Sequence, residues 1–125
     1  MSRRTRPERQ RRFVTAYLSV HPEASAVNAD FNDAFAFAFG RVDPAGTVRP
    51  LKRIVKAWGA CPCPRALDVL RQMWRGGLIE RRRIGLVEHG PGFPNWTYSY
   101  TLPPDQRMPR PRALRILSSH PAPSR

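Results

Sequence analysis

Arg65-Ala66-Leu67-Asp68-Val69-Leu70-Arg71-Gln72-Met73-Trp74-Arg75-Gly76-Gly77-Leu78-Ile79-Glu80-Arg81 is the stretch on which the fold turns. Leu67, Leu70, Met73 and Trp74 recur at helical spacing, which predicts a helix over 64–75 with those side chains inward. Pro64 suits its first position, where a missing N–H costs nothing. Gly76-Gly77 ends it, because glycine closes a helix without a Cβ penalty. Leu78–Val87 then reads as a strand, with Ile84 and Leu86 on one face and Arg83 on the other. After the loop Gly90-Pro91-Gly92-Phe93-Pro94, a second strand is the clearest in the chain. There Trp96, Tyr98, Tyr100 and Leu102 alternate with Thr97, Ser99 and Thr101.

Working outward, proline sets the limits. The 14 prolines leave long free windows at 8–21, 23–43, 51–61 and 65–90. Helices belong inside them, since an internal proline costs about 3 kcal/mol. Thr5-Arg6-Pro7-Glu8 reads as a capping box, and Phe13/Tyr17 with Val14/Leu18 form an apolar stripe that ends at His21-Pro22. Ala24–Gly40 is expected as a second helix, with Val27, Phe31, Ala34, Phe35, Ala38 and Phe39 on one face. Residues 41–50 read as a loop, and Leu51, Ile54, Val55 and Trp58 as a short helix ending at Gly59. Ala60–Pro64 is a tight turn. The expected class is α+β and mainly helical, with a C-terminal β-hairpin. Residues 1–4 form a basic arm, 5–104 one domain, and 105–125 a flexible tail rich in Pro and Arg with one helical turn at Ala113–Leu117.

The net charge of the 125 residues is +13, with 22 Lys and Arg against 9 Asp and Glu. A polyanionic partner is the natural consequence. All but Lys52 and Lys56 of the basic residues are arginine, which forms bidentate bonds to phosphate and guanine. The charge is unevenly placed. Residues 1–12 hold six Arg and one acid, 49–87 hold ten basic residues and two acids, and 103–125 hold five Arg and one acid. Residues 13–48 instead hold one Arg and four acids. One basic central segment with two basic arms is a binding arrangement rather than a uniformly solvated surface. The 41% hydrophobic content supports a core, and no apolar stretch is long enough to span a membrane. Arginines precede Phe13–Val20 and Ala24-Ser25-Ala26 resembles a cleavage site, but Thr15, Ser19 and Pro22-Glu23 interrupt the pattern of a secretory signal. Cys61 and Cys63, separated by Pro62 alone, are poorly placed to bond to each other, so a reduced cytoplasmic setting is expected.

Helix, tight turn, helix, glycine and hairpin occur here in the order of the winged helix-turn-helix superfamily, which residues 51–102 resemble. Leu67, Leu70 and the Gly-Leu-Ile-x-Arg ending at Arg81 carry the likeness, and Trp96–Leu102 looks like the returning wing strand. The resemblance implies a DNA-binding domain that inserts residues 64–75 into the major groove, with residues 5–40 as supporting helices. One departure is that two helices and a ten-residue loop precede the helix-turn-helix pair, where compact members are tighter.

Arg65, Asp68, Arg71, Gln72 and Arg75 form the outward stripe of that helix, and Arg and Gln are the side chains that read guanine and adenine edges. Within Arg81-Arg82-Arg83 the side chains alternate faces. Arg83 is the expected phosphate contact, and Arg82 is expected to cover the core edge with its stem. His89, Phe93 and Asn95 lie in the loop where a wing tip would meet DNA. Phe37 is expected to be exposed beside Ala36 and to mediate a homodimer. One Cys-x-Cys without a second pair does not make a zinc site, and no phosphate loop, nucleophile elbow or catalytic spacing is present, so neither cofactor nor enzymatic activity is expected. The expected function is sequence-specific binding of double-stranded DNA by a small transcriptional regulator. An RNA-binding, ribosome-associated protein and a protein-binding adaptor are the alternatives.

Overall fold

The computed structural model describes residues 4–56, 62–87 and 92–119. It is mixed α+β, with four α-helices and two small antiparallel sheets among those residues. Helix α1 spans Arg6–Val20, strand β1 Ala24–Ser25 and α2 Ala29–Ala38. Strands β2 (Arg41–Val42) and β3 (Val48–Arg49) follow, then α3 (Pro64–Arg75), β4 (Glu80–Gly85), β5 (Trp96–Thr101) and α4 (Arg110–Ser118).

Helices α1 and α2 start where a capping side chain accepts from a free N–H group, whereas α3 and α4 have no side-chain cap and carry proline in their first turn. The Thr5 hydroxyl accepts from the Glu8 N–H at 3.3 Å, and Asn28 Oδ1 accepts from the Phe31 N–H at 2.8 Å. Each cap is worth about 1 kcal/mol. The Asn28 cap also explains why the helix expected over Ala24–Gly40 begins later. Asparagine is a strong cap and a poor interior residue. Upstream of it, Ala24 and Ser25 pair with Tyr100 and Ser99 of β5. The longer sheet therefore runs β1-β5-β4, with Arg81↔Tyr100, Arg82↔Ser99 and Arg83↔Tyr98 in register.

The core lies where α1, α2 and α3 meet the sheet. Phe13 packs edge-on against Phe35 and Phe39 at 5.9 and 5.5 Å between centroids, and Phe31 packs against Tyr17 at 5.0 Å. Ala66, Val69, Leu70 and Met73 of α3 close it from below. Fully burying each large apolar side chain contributes about 1.5–3 kcal/mol.

Several expectations are corrected. Residues 41–49 are not a plain loop: Asp43 Oδ1 accepts from the N–H groups of Ala45 and Thr47, and Gly46 at φ 84° completes a tight turn between β2 and β3. Residues 51–56 are not helical. The Leu51 N–H donates to the Ala36 carbonyl at 2.9 Å, and Arg53 is ion-paired with Asp33 of α2, so tertiary bonds replace helical ones. The remainder of that expected helix, 57–59, and Cys61 lie outside the described residues. Nor is the β4–β5 hairpin the C-terminal element. Part of the expected tail is α4, whose Ala113 and Ile116 are buried with Ala16 of α1. Met108 donates its N–H to the Ser19 hydroxyl at 3.1 Å, fixing the approach. The apolar side chains of Ala113–Leu117, set at helical spacing, are long enough to dock.

Candidate nucleic-acid interface

Helix α3 buries Ala66, Val69, Leu70 and Met73, which leaves Asp68, Arg71, Gln72 and Arg75 on its outer side. Arg71, Gln72 and Arg75 are exposed. Arg71 is not free to swing: its guanidinium donates to Asp68 Oδ1 at 2.7 Å, one helical turn away. Asp68 therefore orients Arg71 rather than presenting its own carboxylate. Arg65 is drawn inward, where its Nε–H donates to Oε1 of the buried Gln10 at 2.9 Å, tying α3 to α1. The expected stripe of five is thus three exposed side chains, one orienting carboxylate and one structural arginine.

Trp74 departs from its expected inward position. It is 36% exposed at the edge of α3, where the Arg81 guanidinium carbon lies 3.4 Å from its ring centroid. Arg81 also lies 3.9 Å from the Tyr98 centroid, so it is held between a ring of the helix and a ring of the hairpin. Arg83 lies 4.1 Å from the centroid of Trp96, itself 39% exposed. Arg81, Arg83, Trp96 and Tyr98 share one sheet face, as their register requires. Arg82 is on the other face and exposed, so the arginine stem expected to cover the core edge is that of Arg81. A guanidinium stacked on a ring keeps its full charge and its outer N–H donors.

The described ion pairs join Arg49 to Asp43, Arg53 to Asp33 and Arg71 to Asp68. Among the described residues no carboxylate pairs with Arg75, Arg81, Arg82 or Arg83. The Arg81–Trp74 contact brings the edge of α3 against the hairpin, so the unpaired arginines of the two elements are neighbours there. Asn95 is exposed at the hairpin end, and its carbonyl extends the ladder by accepting from the Leu86 N–H at 2.9 Å. His89 lies outside the described residues. Beside the hairpin is a hollow of about 420 Å³ lined by Val27, Ile54, Lys56, Leu67 and Trp96 among others.

A buried amide, unmarked by any sequence motif, sets the start of α3. Asn32 donates to the carbonyls of Ser25 at 3.1 Å and Asn28 at 2.7 Å, and accepts from the Cys63 N–H at 2.9 Å. Cys63 is buried, and that burial pushes its thiol pKa up. Among the described residues no three His, Cys, Asp or Glu side chains gather as a metal site would need. No described helix is long and apolar enough to cross a membrane.

Phe37, expected to be exposed, is of intermediate burial.

No family model, curated protein or solved structure matches the chain.

Proposed function

We propose that this chain is a winged helix-turn-helix protein that binds duplex DNA, with α3 in the major groove and the β4–β5 hairpin on the phosphates. The observation that carries the reading is the Arg81–Trp74 contact, which sets the outer side of α3, with exposed Arg71, Gln72 and Arg75, beside the hairpin arginines Arg81 and Arg83. The element order supports it. A helix, a short strand, two further helices and a hairpin, with the first strand paired to the last, is what a winged helix has, although 25 residues here separate α2 from α3. Arg71, oriented by Asp68, and Gln72 have the donor and acceptor patterns that read guanine and adenine edges. Arg83, stacked on Trp96, meets phosphate. Transcriptional regulation is the role we assign to such binding.

The test is a mobility-shift competition with the full chain and equal lengths of duplex DNA, structured RNA and single-stranded DNA. Duplex DNA is expected to compete best. Structured RNA competing best would replace this reading with that of an RNA-assembly protein. No binding to any of them would favour a protein-binding adaptor.

A further inference from the structure

A second cationic surface lies on the other side of α1 from α3. Gln10 marks the α3 side of α1 through its bond to Arg65, and Ala16 marks the α4 side by packing against Ala113. Arg12 is two residues after Gln10, which places it about 200° around the helix and one turn before Ala16. Arg112 directly precedes Ala113. The two arginines therefore meet where α1 and α4 run together. Arg4, at the start of α1, joins them: its charge and that of Arg112 add to burial in pushing the Arg12 pKa below the ordinary guanidinium value.

Stretches 4–20 and 104–119 together carry nine arginines and only Glu8 and Asp105 as acids. None of these arginines takes part in an ion pair among the described residues. Of their side chains, that of Arg6 alone has a described hydrogen-bond partner, the Phe39 carbonyl at 2.6 Å. Glu8, four residues from both Arg4 and Arg12, offsets part of this charge. The remaining excess of like charge raises the free energy of the folded chain, a contribution whose sign a bound polyanion reverses. Leu114 is the one large apolar side chain recorded as exposed on these stretches. A membrane-docking face needs a row of apolar residues, and a stable protein interface needs an apolar or aromatic centre. A phosphate backbone needs neither.

We propose that the Arg4–Arg12–Arg112 face binds the phosphate backbone of a second nucleic-acid duplex, so that one chain joins two DNA segments. The proposal rests on the reading of α3 and the hairpin as the first DNA-binding surface. The second face is expected to contribute charge rather than base readout.

The experiment uses bead-bound duplex, free labelled duplex and the full chain. Direct binding to the labelled duplex is measured in parallel by anisotropy. Wild type is expected to bind one duplex and to carry labelled duplex onto the beads. Arg12→Gln with Arg112→Gln is expected to keep single-duplex affinity within about threefold while capture falls about tenfold or more, because few of the phosphate contacts in the first interface are lost. The variant's circular dichroism and melting are compared with wild type, and the single exposed change Arg112→Gln, expected to lower capture partway, serves if the double variant unfolds. Capture unchanged in the folded variants overturns the proposal, since joining would then come from elsewhere, such as a dimer. Single-duplex binding without capture by wild type overturns it alone. Absence of any duplex binding overturns it together with the α3 reading. Poly-glutamate displacing bead-captured duplex as well as unlabelled duplex does would overturn the nucleic-acid assignment in favour of an acidic protein.

Discussion

The Arg81 guanidinium carbon sits 3.4 Å from the centroid of the Trp74 ring, closer than any other described cation–ring pair in the chain. It joins the last turn of α3 to the hairpin, with Tyr98 on its other side. Together with the shared core, in which Ile79 and Tyr100 cluster with Leu70 and Met73, this side chain sets the relative placement of helix and hairpin on which any shared binding surface depends.

Arg81→Ala should lower stability by about 1–2 kcal/mol, the range for a partly desolvated cation–ring contact. Arg81→Lys should recover only part of that, because an ammonium cannot stack in a plane between two rings. Urea denaturation of the three proteins measures this. Equal stability of the alanine variant and wild type would show that the hairpin is held by its other contacts.

Asn32→Leu should cost more, about 2–4 kcal/mol. It strips partners from the Ser25 and Asn28 carbonyls and from the Cys63 N–H in a buried place. Thermal melting reads the loss. Hydrogen exchange should locate it, with protection at Cys63 and the first turn of α3 falling before that of α1.

How much of this was legible in the sequence depended on the range of the interaction. Helix α3, its Gly76-Gly77 end and strand β5 follow from local periodicity and turn chemistry. The outward side of α3 was also legible, because helical spacing fixes which residues share a face. Trp74 was misplaced because its size suggested burial, whereas an edge position lets its ring face Arg81 across the chain. Alternation placed Arg81 and Arg83 on one face, but the strand rings they meet, Tyr98 and Trp96, lie diagonally from their register partners Tyr100 and Tyr98, which no local pattern reveals. The division between β1 and α2 turned on one capping residue, Asn28. Helix α4 was legible only as a turn at Ala113–Leu117, because its prolines argued against a longer helix, although Pro111 lies in its first turn, where proline is tolerated.

Ile116→Ala should destabilise the chain by about 2–3 kcal/mol, the lower part of the range for such truncations, since Ile116 is buried at the rim of the α1–α4 contact. Removing residues 107–125 should cost at least as much by uncovering Ala16 and Val20. Chemical denaturation measures both. A truncated chain as stable as wild type would show that α4 adds charge but no stability.

Tyr17 gives the chain an alkaline limit. Its hydroxyl donates to Asp30 Oδ2 at 2.7 Å, and burial, followed by that bond and the carboxylate's charge, pushes its pKa well above the ordinary value of 10.0. The folded chain therefore holds the phenolic proton more tightly than the unfolded chain. This stabilisation is complete below about pH 10 and is lost as pH rises toward the higher folded pKa. Tyr17→Phe should cost about 1 kcal/mol at neutral pH and flatten the decline above pH 10. Denaturation midpoints between pH 7 and 11 test it; parallel curves for the two proteins would contradict it.

The central claim, that α3 reads bases while the hairpin grips phosphate, is tested most directly by duplex affinities of Arg71→Ala and Arg83→Ala, each shown folded, for a selected sequence and for random DNA across a salt series. The account predicts that Arg71→Ala weakens the selected site by about 1–3 kcal/mol more than random DNA. It predicts that Arg83→Ala weakens both alike and reduces the log–log salt slope by about one unit. Equal weakening of selected and random DNA by Arg71→Ala would contradict the account, because α3 would then contribute charge rather than recognition.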